Sequence, residues 1–342
     1  MTVTVGTIVK RFEESYPLWM AEANDPNGLH FGSLDNEVKK VMITLDVRPD
    51  VVQEAIEKKI DLIIAKHPPI FSPIKRLTDE TVQTKMYNEI IRNNINIYAA
   101  HTNIDIAPNG LNDWLLEELD CKVIDYLSLV HQIPYEMFTI NVDIYEEKKT
   151  EIVQSLKKLK DCQLLTVNPV INGIVSPKAK KNMLQLLHKD YSFSQQNIIW
   201  QSLSEGPFQE YGIGRVGMLS QPLTLTALSD LIKEKYQMDH VKLITKNPQV
   251  KVQKVAICSG SGQKFYHDAL AKQADVYITG DVYYHVGHDM YDDNLNVIDA
   301  GHYIEHLVKL KLASLMRQWA KEQAWDIDIE QSQVNTNPFR VY

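Results

Sequence analysis

The hydrophobic positions of this chain fall into short apolar runs separated by amphipathic stretches. Lys40-Val41-Met42-Ile43-Thr44-Leu45-Asp46 reads as a strand. Val51, Ala55 and Ile56 follow at helical spacing, and Asp61-Leu62-Ile63-Ile64-Ala65 reads as a second strand. The same order returns near the other end, with Lys254-Val255-Ala256-Ile257-Cys258-Ser259-Gly260, a helical stretch carrying Phe265, Ala269 and Leu270, and then Asp275-Val276-Tyr277-Ile278-Thr279. The landmarks stand twenty positions apart in each unit, Val41 to Asp61 and Val255 to Asp275. A third run matches as well: Asn94-Ile95-Asn96-Ile97-Tyr98-Ala99-Ala100-His101 parallels Asn294-Leu295-Asn296-Val297-Ile298-Asp299-Ala300-Gly301, with Asp105 and Glu305 at equivalent distances beyond. Near-continuous apolar strands alternating with helices predict largely parallel sheets covered on both faces, and the repetition predicts two related α/β lobes.

Residues 134–209 belong to neither copy. Residues 138–144 alternate like a half-exposed strand, and 146–160 form an amphipathic pattern with Ile152, Leu156 and Leu159 inward. A second pair follows, a strand over 170–175 and a helix over 178–188 behind Pro177, and then a strand at 197–200. This order predicts an inserted, ferredoxin-like α+β domain between core segments 1–133 and 210–342. The glycines of Tyr211-Gly212-Ile213-Gly214-Arg215-Val216-Gly217 predict a turn-rich junction where the chain returns to the core.

Bulk properties narrow the class. A chain of 342 residues fits about two domains, at roughly 150 residues each. No apolar run reaches the roughly 18 residues that cross a bilayer, and no basic head with an apolar stretch marks a secretory signal. Cys121, Cys162 and Cys258 are widely separated, which excludes a zinc ribbon or disulfide framework and fits a reducing cytoplasm. The formal charge of −8 supplies no overall basic field, so nucleic acid is not an expected partner.

Candidate chemistry lies just past the apolar strands, where the loops of open α/β sheets converge on a crevice. The segments are Lys66-His67-Pro68-Pro69, His101-Thr102-Asn103-Ile104-Asp105, Gly280-Asp281-Val282-Tyr283-Tyr284-His285 and Asp299-Ala300-Gly301-His302-Tyr303-Ile304-Glu305-His306. Imidazole and carboxylate are the usual protein ligands of zinc, manganese or iron. A helix beginning near His302 places His302 and Glu305 on one face. Each fragment alone has an ordinary structural explanation: a packed, hydrogen-bonded histidine for His67, a turn or cap for His101 and Asp105, a surface charge for Glu305. Gly260-Ser261-Gly262 lacks the ending of a P-loop and reads as a tight turn. Four candidates at equivalent strand ends of a repeated unit favour one shared metal site.

Seven segments together resemble the Nif-three-like family, also labelled the type-two homologue of GTP cyclohydrolase I. They are Asp25-Pro26-Asn27-Gly28-Leu29, Ala65-Lys66-His67-Pro68, His101 to Asp105, Gly212 to Gly217, Ser259 to Gly262, Thr279-Gly280-Asp281 with His285, and Asp299 to Tyr303. The resemblance runs from about residue 20 to the end around a middle insertion like that of longer bacterial members. It implies two similar α/β lobes facing across a metal-binding cleft, a dinuclear site and a toroidal homohexamer. It carries ligand positions over to His67, Asp105, His302 and Glu305. The implied cofactor is divalent zinc, manganese or iron, one or two per chain, and the implied chemistry is metal-dependent hydrolysis with His101 or His285 as proton shuttle. The alternative is a regulatory, scaffold or metal-transfer protein without catalysis.

Two positions depart from the family pattern. Lys66 stands where the family has the first of two adjacent histidines, and an ammonium has no lone pair to give. Loss of the second metal is then expected, with Lys66 turned to a carboxylate or water; a neutral or carbamylated lysine acting as a ligand is the competing expectation. Many members place the last glutamate where this chain has His306, and Glu305 is preferred here because it matches Asp105 in the repeat.

Overall fold

The repeated runs fold as two triplets of parallel strands in the same register. The computed structural model describes residues 2–141, 147–168, 170–193 and 197–341. A five-stranded sheet contains β1 (Gly28–Phe31), β2 (Lys40–Thr44), β3 (Leu62–Ala65), β4 (Asn96–Ala99) and the late strand β15 (Asp328–Gln331), in the order β1-β4-β3-β2-β15. A six-stranded sheet contains β5 (Cys121–Pro134), β10 (Phe208–Thr224), β11 (Lys242–Ile244), β12 (Lys251–Ile257), β13 (Val276–Thr279) and β14 (Asn296–Asp299), in the order β11-β14-β13-β12-β10-β5.

Val41 pairs with Leu62 and Leu62 with Asn96 in the first triplet; Val255 pairs with Val276 and Val276 with Asn296 in the second. The polar fittings repeat too. Asp61 accepts from the backbone of Lys39 and Lys40, and Asp275 from that of Gln253 and Lys254. The Asn96 amide donates to the carbonyl of Asp61, and the Asn296 amide to that of Asp275. Central strands β3 and β13 are buried at every residue, which is why they read as unbroken apolar runs. Between β2 and β3 the helix Pro49–Lys58 starts with proline in its first turn, where no amide partner is lost, and ends at Lys59 in the left-handed conformation.

Residues 211–217 are not a turn-rich junction but the middle of β10. Their glycines answer to close approach rather than to turning. A Cβ on Gly212 would stand 2.4 Å from the Ser128 carbonyl oxygen, and one on Gly217 2.7 Å from Cys121 Sγ, both in neighbouring β5. Gly214 also holds φ near +64°.

By contacts the chain divides into two compact units, 1–130 with 212–342, and 131–211. The second unit contains β6 (Glu136–Ile140), β7 (Cys162–Thr166), β8 (Ile171–Val175) and β9 (Ile198–Ser202), antiparallel in the order β7-β8-β6-β9. Helices Lys149–Lys157 and Pro177–Tyr191 complete a β-α-β-β-α-β order around Phe138, Ile140, Leu156, Val175, Met183 and Leu187. Strand β7 was not expected from the pattern; it is a partly exposed edge and needs no apolar alternation. The end of the strand expected over 138–144 and the start of the helix expected from 146 fall outside the described residues. Among the described residues no helix is long and apolar enough to cross a membrane.

Candidate metal centre

The ends of the parallel strands supply the site. Asp46 lies just past β2, Lys66 and His67 just past β3, and His101 just past β4, ahead of the short helix Thr102–Ile106 that carries Asp105. From the other triplet come Gly260 after β12, Asp281 after β13, and His302 and Glu305 after β14. The last two share the single 3-10 turn His302–His306, in which residues three apart eclipse one another.

Three donor atoms from the two triplets meet. His67 Nε2 lies 2.9 Å from Glu305 Oε2 and 3.3 Å from His302 Nε2, and His302 Nε2 lies 3.5 Å from Glu305 Oε2. The opposite nitrogen of each ring is held by a carboxylate: His67 Nδ1 donates to Asp46 Oδ1 at 2.7 Å, and His302 Nδ1 to Asp281 Oδ2 at 2.6 Å. A carboxylate at Nδ1 keeps the proton there and directs Nε2 to the common point. Asp281 is steadied in turn by the Ser261 hydroxyl at 2.5 Å, and Asp46 by the hydroxyl of Thr336.

Gly260 makes room for this triangle. Its φ is near +63°, and a Cβ there would stand 2.9 Å from Glu305 Oε1 and 3.3 Å from His302 Nε2. The tight turn read at Gly260-Ser261-Gly262 therefore also keeps side-chain atoms away from the converging donors.

Asp105 is not one of the three converging residues. Its Oδ2 accepts from Lys66 Nζ at 3.0 Å, while its Oδ1 is buried without a hydrogen-bond partner. Lys66 Nζ also lies 3.5 Å from Glu305 Oε2, with its side chain only 1% exposed. The helix bearing Asp105 is anchored by buried Arg215, which donates to the carbonyls of Ile106 and Ala107 and grips Asp113 through two nitrogens at 2.9 and 2.8 Å.

Opposite charges crowd the centre. Burial opposes the Glu305 carboxylate, but Lys66, His302 and His67 hold its pKa well below the ordinary range. Burial disfavours the His302 imidazolium, yet Glu305 and Asp281 outweigh it and raise its pKa to about 9. His67 is raised in the same way, against burial, by Asp46 and Glu305. Burial, with added repulsion from Glu305, raises Asp105 against the opposing pull of Lys66. Two histidines that favour protonation thus face one buried carboxylate.

Of the shuttle candidates, His101 is close: its ring centroid lies 5.8 Å from that of His67, and its Nδ1 is held by Asp25 Oδ1 at 2.6 Å. Asp25 also accepts from the Thr102 backbone, and burial of its carboxyl is outweighed by these bonds, which hold its pKa far below the usual value. His285 sits exposed on the helix Tyr284–Asp292, edge-on to Tyr284, and has no hydrogen bond or ring contact with the three donors. His306 is occupied elsewhere, with Nε2 2.7 Å from the Tyr236 carbonyl and its ring stacked on Tyr303. The roles of Asp25, Asp46 and Gly260 were not foreseen. A carboxylate just past one strand, beside a histidine just past the next, was the available signal for Asp46. A cavity of about 870 Å³ opens beside the site, with His67, His101, His302, Asp281 and Phe71 in its wall.

The family described as Duf34/NIF3 (NGG1p interacting factor 3) matches residues 3–338. A Streptococcus pneumoniae protein named GTP cyclohydrolase 1 type 2 homolog is 36% identical, over 97% of each chain, and a Bacillus subtilis protein of the same name is 32% identical, also over 97% of each. The solved structure of a Bacillus cereus protein related to NIF3 superposes with a TM-score of 0.87 at 27% identity, over the whole of both chains. By sequence and by fold, the chain belongs to the DUF34/NIF3 family.

Proposed function

We propose that His67, His302, Glu305 and Asp105 hold a divalent metal ion and that the protein is a metal-dependent hydrolase. The observation that carries this reading is the triangle of donor atoms at 2.9, 3.3 and 3.5 Å. Ligands about 2.0–2.1 Å from a tetrahedral ion stand roughly 3.3 Å from one another. Two histidines, each backed by a carboxylate, together with a buried glutamate form a donor set suited to zinc, manganese or iron. The unpartnered Oδ1 of Asp105 is a further acceptor available to the same ion.

A divalent ion there supplies Lewis acidity toward water and a substrate oxygen. Asp46 and Asp281 fix the imidazoles in the tautomer that offers Nε2. His101, oriented through Nδ1 by Asp25, is the group that takes up or returns a proton beside the cavity. The two sheets act as the lobes of a cleft, which is supported by their shared register and by donors from both. Residues 134–209 are read as an inserted ferredoxin-like domain, supported by its strand–helix order and separate core. A cytoplasmic homohexamer completes the reading by family resemblance.

The test is a screen of metal-loaded protein against phosphoesters, nucleotides including GTP, and amides. Turnover that falls at least 100-fold in His67→Ala is expected. Metal bound by the wild type without turnover of any class, but transferred to an apo acceptor protein, would instead establish the non-catalytic alternative.

A further inference from the structure

Lys66 is a buried cation set between two carboxylates of the centre. Its side chain is 1% exposed, and its ammonium stands 3.0 Å from Asp105 Oδ2 and 3.5 Å from Glu305 Oε2. Those carboxylates come from opposite triplets, and Glu305 Oε2 is the same oxygen that faces both histidines. Two carboxylates within reach of one buried point repel each other unless a positive charge lies between them. Here that charge is covalently attached to β3's end. A protonated amine gives three donors and no lone pair, so Lys66 can satisfy carboxylates but cannot ligate a metal.

We propose that Lys66 is a built-in second cation of the site, so that the chain takes one divalent ion, at His67, His302 and Glu305 with Asp105 Oδ1 open to it, and excludes another from between Asp105 and Glu305. The inference rests on the metal reading above and fixes its stoichiometry. It also gives Asp105 a divided role, with Oδ2 committed to Lys66 and only Oδ1 open. A second metal would have to displace an ammonium that cannot leave, and meet it at close range.

Metal content per chain decides the matter. Full-length wild type, Lys66→His, Lys66→Gln and His67→Ala are loaded with Mn(II), dialysed against one buffer, and measured by elemental analysis and electron paramagnetic resonance. One ion per wild-type chain with the spectrum of isolated Mn(II) is expected, rising to two spin-coupled ions in Lys66→His. Lys66→Gln, nearly isosteric and uncharged, is expected to admit a second, weaker ion, and serves if Lys66→His does not fold. Two tightly held ions in the wild type would overturn the inference while leaving the metal reading standing. So would a folded Lys66→His or Lys66→Gln that still holds only one. No ion in the wild type would overturn the metal reading itself and this inference with it.

Discussion

The two strand triplets share a register and a set of polar fittings, yet they deliver different side chains to the same place. Following the aligned registers, Ala65 corresponds to Thr279, so Lys66 and His67 correspond to Gly280 and Asp281. Asp46 corresponds to Gly260, and Thr102 to His302, in the same way. Each triplet contributes one histidine and its supporting aspartate, but staggered by one strand. The first places the histidine after β3 and the aspartate after β2, the second the histidine after β14 and the aspartate after β13. Only Asp105 and Glu305 keep equivalent places, and Lys66 joins them. The lesson is that the repeat preserves backbone geometry, whereas the chemistry depends on which strand end carries which residue. At Gly280 the second copy has no space for a lysine, since even a Cβ would meet Gly301 backbone at 2.5 Å.

The largest expected effect is at the position where the copies differ most. Lys66→Ala leaves Asp105 and Glu305 buried without their shared cation, and metal-free protein should lose about 3–5 kcal/mol of unfolding free energy. Denaturant titration checks this, and a loss under 1 kcal/mol would mean that the ammonium is replaceable by water. Added metal should restore part of the loss.

Next come the staggered aspartates. Asp46→Asn and Asp281→Asn should each weaken metal binding about 10–100-fold, because each frees one imidazole to rotate or change tautomer. Competition with a chelating dye measures both. Similar losses support two equivalent halves, and a loss confined to one would break the comparison.

A smaller effect is expected at Gly260, which corresponds to Asp46 in the other copy. Gly260→Ala should cost roughly 1–2 kcal/mol from the left-handed backbone alone. Its Cβ should also push Glu305 off the triangle, so metal affinity falls along with stability. A stability loss with unchanged affinity would show that Glu305 has room to give.

How much of this was legible follows from the same distinction. Strands such as Leu62–Ala65 and Val276–Thr279 are buried on both faces, so the hydrophobic run alone revealed them. His67, His302 and Glu305 were legible as candidates because they follow repeated strands. The support of Asp46 for His67, and of Asp25 for His101, was not, because those partners are 21 and 76 positions apart and only the fold brings them together. The glycines of 211–217 misled because glycine serves close packing as readily as turning. His285 follows a strand end in the same way, and nothing in the sequence near Tyr284 revealed that its face of the helix is exposed.

The smallest expected effect concerns pH. Asp25 has its carboxyl held below the usual value by His101 and Thr102 against the cost of burial. A lowered folded pKa stabilises the protein above the unfolded value of about 3.9, and that contribution disappears as pH falls toward the folded value. The stability difference between wild type and Asp25→Asn should therefore be constant from pH 7 to 5 and shrink below pH 4. Urea unfolding at those pH values gives the comparison, and a difference that grows on acidification would reverse the assignment.

The placement of β15 has a consequence for synthesis. It pairs in parallel with β2, and the residues beyond it bond Glu54 and Asp46 across separations of 278 and 290 positions. A ribosome adding about 5–20 residues per second needs roughly 15–60 s to cover that distance. Throughout that interval the nascent first sheet carries β2 as an open edge, able to pair with another strand. The β12 edge has no such wait, because β10 precedes it in the chain and can cover it as it emerges. The first repeat, although made first, is therefore the last to be finished, and β2 stays open to pairing with another strand until β15 emerges.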